Sequence, residues 1–203
     1  MSTADIDCFG AIAASLKKAA TALHEHRVPF LLGGSLAVWA RGGPESCNDL
    51  DLIVKREDAH AALEALESGG MRVERPAEGW LYKAWDGDVL VDLIFAPKGL
   101  TIDDEAFQSA EDVSVFGLEL RAMRLEDVLI TKLRAFHEHY LDYDPALQMA
   151  RAVRERIDWE EVRSATAESP YARAFFTLIE GLGLVEEPRG TTTEARPRIR
   201  LAE

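Results

Sequence analysis

An α+β fold, in which a mixed β-sheet is flanked by helices and followed by a C-terminal helical lobe, is what the sequence predicts. Three observations lead there. Short apolar strand-like runs alternate with helical segments up to about residue 122, a tight turn joins two of those runs, and the segments after Arg124 all repeat with the 3.6-residue period of helices. The chain of 203 residues is long enough to bury a sizeable core, and its 47% apolar and 29% charged residues are those of an ordinary globular protein.

The elements follow in order. Phe9, Ile12, Leu16, Ala19, Ala20 and Leu23 recur at helical spacing between Cys8 and Arg27, which predicts a first helix. Val28 to Leu32 reads as a short buried strand ending at Gly33-Gly34, and Ser35 to Arg41 as a short helix closed by Gly42, Gly43 and Pro44. Asp49 to Lys55 is a second strand, Glu57 to Glu67 a helix stopped by Gly69-Gly70, and Met71 to Glu74 an edge strand. Trp80 to Trp85 and Val89 to Phe95 form a hairpin about Asp86-Gly87, and Val113 to Val115 and Leu118 to Ala122 a weaker pair about Gly117. Helices then cover Leu125 to His137, Pro145 to Ile157, Trp159 to Ala167 and Ser169 to Leu182. The organisation expected is a core over 1–122, a helical lobe over 123–185 and a flexible tail over 186–203.

No apolar run approaches the ~20 residues of a membrane span, and Met1 to Asp5 has no basic, apolar leader, so a cytoplasmic protein without a membrane partner is expected. Cys8 and Cys47 are far apart, with no metal-ligating or redox spacing, and are expected to be reduced thiols. A net charge of −13 repels polyanions at long range. His24 and His26, like His137 and His139, stand two apart on helical segments and diverge, so they are no zinc pair.

The chemistry concentrates in three places. Asp49 and Asp51 lie on one face of a strand, about 6.6 Å apart along it, and two carboxylates sharing a space are either solvated at the strand entrance or balanced by a cation such as Mg²⁺. Asp92 is the only polar residue of Val89 to Phe95, so it must meet Arg, Lys or a metal, or stay protonated. Gly33-Gly34-Ser35 joins a strand to a helix. Such a turn either is an ordinary serine-capped start or lets backbone N–H groups approach an anion.

Together these residues resemble the nucleotidyltransferase superfamily that shares its fold with DNA polymerase beta. Gly34-Ser35, a gap of thirteen residues, Asp49-Leu50-Asp51-Leu52 and a later Asp92 follow its pattern over roughly Val28 to Phe95. The resemblance implies a Mg²⁺-dependent enzyme that moves an NMP from an NTP to a hydroxyl, releasing pyrophosphate. In that family the three carboxylates, here Asp49, Asp51 and Asp92, hold two Mg²⁺ ions, the last also taking the acceptor's proton, while Gly33, Gly34 and Ser35 hold phosphates. The segment from Leu125 to Leu133 looks like the lobe of nucleotidyltransferase toxins of toxin–antitoxin pairs. That likeness implies that Lys132 faces the triphosphate, the alternative being a solvated helix face. The acceptor implied is a tRNA 3′ end, with an antitoxin protein as partner, or a small hydroxylated molecule such as an antibiotic; the alternative function is a catalytically silent nucleotide- or partner-binding module on the same fold.

Overall fold

The computed structural model describes residues 3–45 and 49–186; the tail expected at the C-terminal end, beyond Glu186, and Cys47 lie outside them. Helix α1 (Thr3–Glu25) buries Ile12, Leu16, Ala19 and Leu23, the stripe its spacing demands. The chain reverses at Arg27, held at a positive φ of 57°, and the Val28 N–H bonds back to the Leu23 carbonyl at 2.9 Å. Strand β1 is only Leu31–Leu32, shorter than the five residues expected, and Pro29 in the part that fails to pair has no N–H to give a ladder. The remaining core elements are α2 (Gly34–Trp39), β2 (Leu50–Ile53), α3 (Ala59–Ser68), β3 (Arg72–Glu74), β4 (Leu81–Asp86), β5 (Val89–Ile94), α4 (Asp104–Gln108), β6 (Glu111–Val115) and β7 (Leu118–Ala122).

The strands form one mixed sheet in the order β3-β4-β5-β2-β1-β7-β6. β2 runs parallel to β5 and antiparallel to β1, so it is the central strand on which both neighbours are registered. β1 also pairs in parallel with β7, through Leu32 and Ala122, which joins the last hairpin to the sheet. Helix α4 has no counterpart in the elements expected from the sequence. Its start is nevertheless well formed, since the Asp103 carboxylate accepts from the Glu105 and Ala106 N–H groups at 3.0 and 3.1 Å.

Helices α5 (Leu125–Ala135), α6 (Asp144–Val153), α7 (Trp159–Ala165) and α8 (Pro170–Gly181) follow, with a 3₁₀ turn at Arg154–Arg156. α5 is the hub: it packs on α6, α7 and α8 and also touches α2, and its Leu125, Val128, Leu129 and Leu133 are buried. Bidentate bonds from Arg124 to Glu161, at 2.9 and 2.6 Å, tie the start of α5 to α7. The apolar residues of sheet and helices form one contiguous core. Among the described residues no helix is long and apolar enough to cross a membrane. Cys8 is disulfide-bonded, which corrects the expectation of a reduced thiol: sequence spacing says nothing about which segments the fold brings together.

Candidate active site

β2 and β5 lie side by side with Asp51 in direct register with Asp92, so the two side chains leave the same face of the sheet. Asp49 precedes β2 by one residue and shares that face by alternation. One carboxylate oxygen from each of Asp49, Asp51 and Asp92 lies within 4.8 Å of the others. Asp92 is buried, whereas Asp49 and Asp51 are partly exposed, so the cluster opens to solvent on the side of β2.

The glycine turn closes on this cluster rather than standing across a cleft from it. The Gly33 N–H donates to the Asp51 carbonyl at 2.8 Å, which uses up that donor. A Cβ on Gly33 would sit 2.9 Å from the Ile53 side chain. One on Gly34 would overlap the Asp51 carboxylate, coming to 2.6 Å of its Cγ, and Gly34 is also held at a φ of +56°. Glycine at 34 is thus required twice, by conformation and by contact. The N–H groups of Gly34 and Ser35, in the first turn of α2, have no helical acceptor.

Burial raises the Asp51 carboxyl to about 7, with the charges of Asp49 and Asp92 adding to the rise and those of Lys132 and Lys83 opposing it. Asp92 is raised in the same way by burial, against a bond from Lys83. The influence of Lys132 on Asp51 means that the α5 lysine bears on this cluster from the helical lobe. The donor set is hard oxygen throughout and carries up to three negative charges, which fits a hard divalent cation such as Mg²⁺ and does not fit a soft thiophilic metal.

Sequence reasoning missed Lys83. It stands directly opposite Asp92 across the β4–β5 ladder and donates from Nζ to Asp92 Oδ1 at 3.0 Å. The expected turn, Asp86-Gly87, would set Asp92 opposite Leu81. The observed closing pair is Asp86 with Val89, so Gly87 and Asp88 form the turn, and the two-residue shift brings Lys83 to Asp92. Of the three partners the sequence left open for Asp92, the structure shows a lysine, alongside two further carboxylates. Trp80 is exposed, Tyr82 packs at a tilt on Phe95 and Trp85 lies under Arg72, so these aromatics pack within the protein or face solvent at the hairpin.

A cavity of about 570 Å³ opens beside the cluster, lined by Ala11 and Ile12 of α1, Asp49, and Asp88, Val89 and Leu90 of the hairpin. It is mostly apolar, with Asp49 and Asp88 as its charged groups.

A family model described as nucleotidyl transferase of unknown function (DUF2204) matches residues 12–170, which take in the whole sheet and all three carboxylates. A comparison with curated proteins finds no match. Among solved structures, the antibiotic-resistance factor ANT(2'')-Ia in solution is similar, with a TM-score of 0.51 and 20% identity over 84% of this chain and 92% of that one. Its crystal structure with adenylyl-2''-tobramycin gives 0.51 and 21%, over 84% and 96%. The lincomycin-bound lincosamide antibiotic adenylyltransferase LnuA gives 0.50 and 12%, over 75% and 97%. At these identities the likeness is one of fold, and it is the mixed sheet flanked by helices that is shared. By the match over most of its length, and in keeping with its fold, this chain belongs to the DUF2204 family of nucleotidyl transferases.

Proposed function

We propose that the protein transfers a nucleoside monophosphate from an NTP to a hydroxyl group of a small molecule, and that Asp49, Asp51 and Asp92 are its catalytic and metal-binding residues. The observation that carries this reading is the convergence of three carboxylates from one face of β2 and β5, with a glycine turn packed against them. Asp49, Asp51 and Asp92 would hold divalent cations, two Mg²⁺ by the family resemblance. When bound, these supply charge neutralisation for the triphosphate and polarise its reacting phosphorus.

The chain's own residues divide the rest of the work. Gly34 and Ser35 present N–H groups to the phosphates, and the Ser35 hydroxyl adds a donor; Gly33 contributes only by its lack of a side chain. Lys132 comes from the helical lobe to balance the triphosphate. Asp92, buried and already inclined to hold a proton, accepts the proton of the attacking hydroxyl. In this reading residues up to 122 form the catalytic core and 123–185 the lobe that covers the nucleotide.

Three features support a small acceptor. The cavity beside Asp49 has the volume of a small-molecule pocket. Asp49, Asp88 and the net charge of −13 favour a cationic compound over a polyanion. The similar ANT(2'')-Ia and LnuA structures contain an adenylylated antibiotic and an antibiotic, so a cationic hydroxylated antibiotic is the acceptor class to try first. A tRNA acceptor, with the antitoxin partner that would follow from it, is the other arm of the same experiment. The protein is incubated with each α-labelled NTP, Mg²⁺ and either a panel of hydroxylated antibiotics or total tRNA. Label on a small molecule is expected; label confined to tRNA would overturn the acceptor class, and no transfer in either arm would count against the catalytic reading.

A further inference from the structure

Lys83 is the charged group at this site to which the proposed chemistry gives no part. The hairpin register makes it the cross-strand neighbour of Asp92 on the same face of the sheet. Its Nζ donates to Asp92 Oδ1 at 3.0 Å, and the side chains keep only 29% and 12% of their exposure, so the pair is largely withdrawn from water. Lys83 also bears on Asp51, and both carboxylates belong to the cluster whose oxygens lie within 4.8 Å. A lysine ammonium is a compact point charge on a flexible stem, and three donors let it yield one carboxylate oxygen while it keeps another contact.

We propose that Lys83 is the resident counter-cation of Asp92, which holds that carboxylate in position while the site is free of metal and which a divalent cation must displace or repel in order to bind. The inference rests on reading Asp49, Asp51 and Asp92 as a metal site. Lys83 is then a positioning residue that lowers the cluster's affinity for a lone cation. A triphosphate arriving with the metal brings negative charge that offsets the ammonium, so metal and nucleotide enter together.

The test is Mn²⁺ affinity of the full chain, measured by calorimetry or electron paramagnetic resonance without nucleotide. Lys83→Met and Lys83→Gln are expected to bind Mn²⁺ about tenfold more tightly than the unsubstituted protein, and Lys83→Arg, which restores the charge, to bind like it. Unchanged or weaker binding in both neutral variants overturns the inference. Wild-type protein supplies a test that needs no substitution: Mn²⁺ should increase acylation of Lys83 by a brief pulse of reagent, read by peptide mass spectrometry, and a decrease or no change contradicts the displacement. Asp51→Asn separates the two levels of argument. If it abolishes Mn²⁺ binding while the Lys83 variants change nothing, only the role of Lys83 fails; if neither wild-type protein nor the neutral Lys83 variants take up Mn²⁺, or Asp51→Asn binds it equally, the metal site and the role of Lys83 fail together.

Discussion

Replacing Asp51 by Asn should separate stability from function. The carboxyl rises from 3.8 to about 7 because folding takes it out of water beside Asp49 and Asp92. A carboxyl raised in the folded state binds protons more tightly there than in the unfolded chain, so metal-free stability falls as pH rises from about 4 to about 7 and stays low above that. A rise from 3.8 to about 7 corresponds to about 4 kcal/mol at full strength, and screening through the surface Asp51 keeps reduces the expected penalty to about 2 kcal/mol. Asn keeps the shape and removes that penalty. Without metal, Asp51→Asn should therefore be more stable than wild type by about 2 kcal/mol at pH 8, with the gain fading toward pH 4. The assay is urea unfolding across that range with a chelator present, together with nucleotidyl transfer at pH 8. Lower stability of the variant at pH 8 would show that Asp51 is a stabilising ion-pair partner, and retained transfer would remove it from the site.

Other outcomes follow from the same geometry. Gly34→Ala forces a side chain into left-handed backbone and onto the Asp51 carboxylate, and should cost about 2 kcal/mol or more in urea unfolding as well as nucleotide affinity. Lys132→Ala should raise KM for NTP about tenfold in steady-state kinetics, the loss expected for one charge-assisted contact, without weakening metal binding, since it removes a positive charge that bears on Asp51. NTP should bind measurably in calorimetry only with Mg²⁺ present, because the triphosphate otherwise meets three carboxylates; equal affinity under chelation would place the nucleotide elsewhere.

The carboxylate cluster was readable in the sequence because strand alternation is a local rule. It puts Asp49 and Asp51 on one face, and a single charge among the apolar residues of Val89 to Ile94 has to find partners. What joins Asp92 to that pair is the parallel β2–β5 register, which no local pattern states; the family resemblance implied only that the three carboxylates share metal ions. Lys83 was hidden for a smaller reason. Turn chemistry fits Asp86-Gly87 and Gly87-Asp88 alike, yet the choice decides whether Asp92 faces leucine or lysine. Gly34 was visible as part of a tight turn, but its contact with Asp51 depends on β1 lying against β2. The shortening of β1, the brief helix α4 behind Asp103 and the bonded state of Cys8 likewise turn on pairing, capping and long-range contacts that periodicity does not register.

The central claim is that Asp49, Asp51 and Asp92 hold the cation that acts on the nucleotide. It is tested most directly by anomalous diffraction from crystals grown with Mn²⁺ and a non-hydrolysable NTP analogue. The expected result is a Mn²⁺ peak within coordination distance of all three carboxylates, with the triphosphate running past Gly34 and Ser35. A peak elsewhere on the protein, or a nucleotide bound away from β2 and β5, would contradict the account.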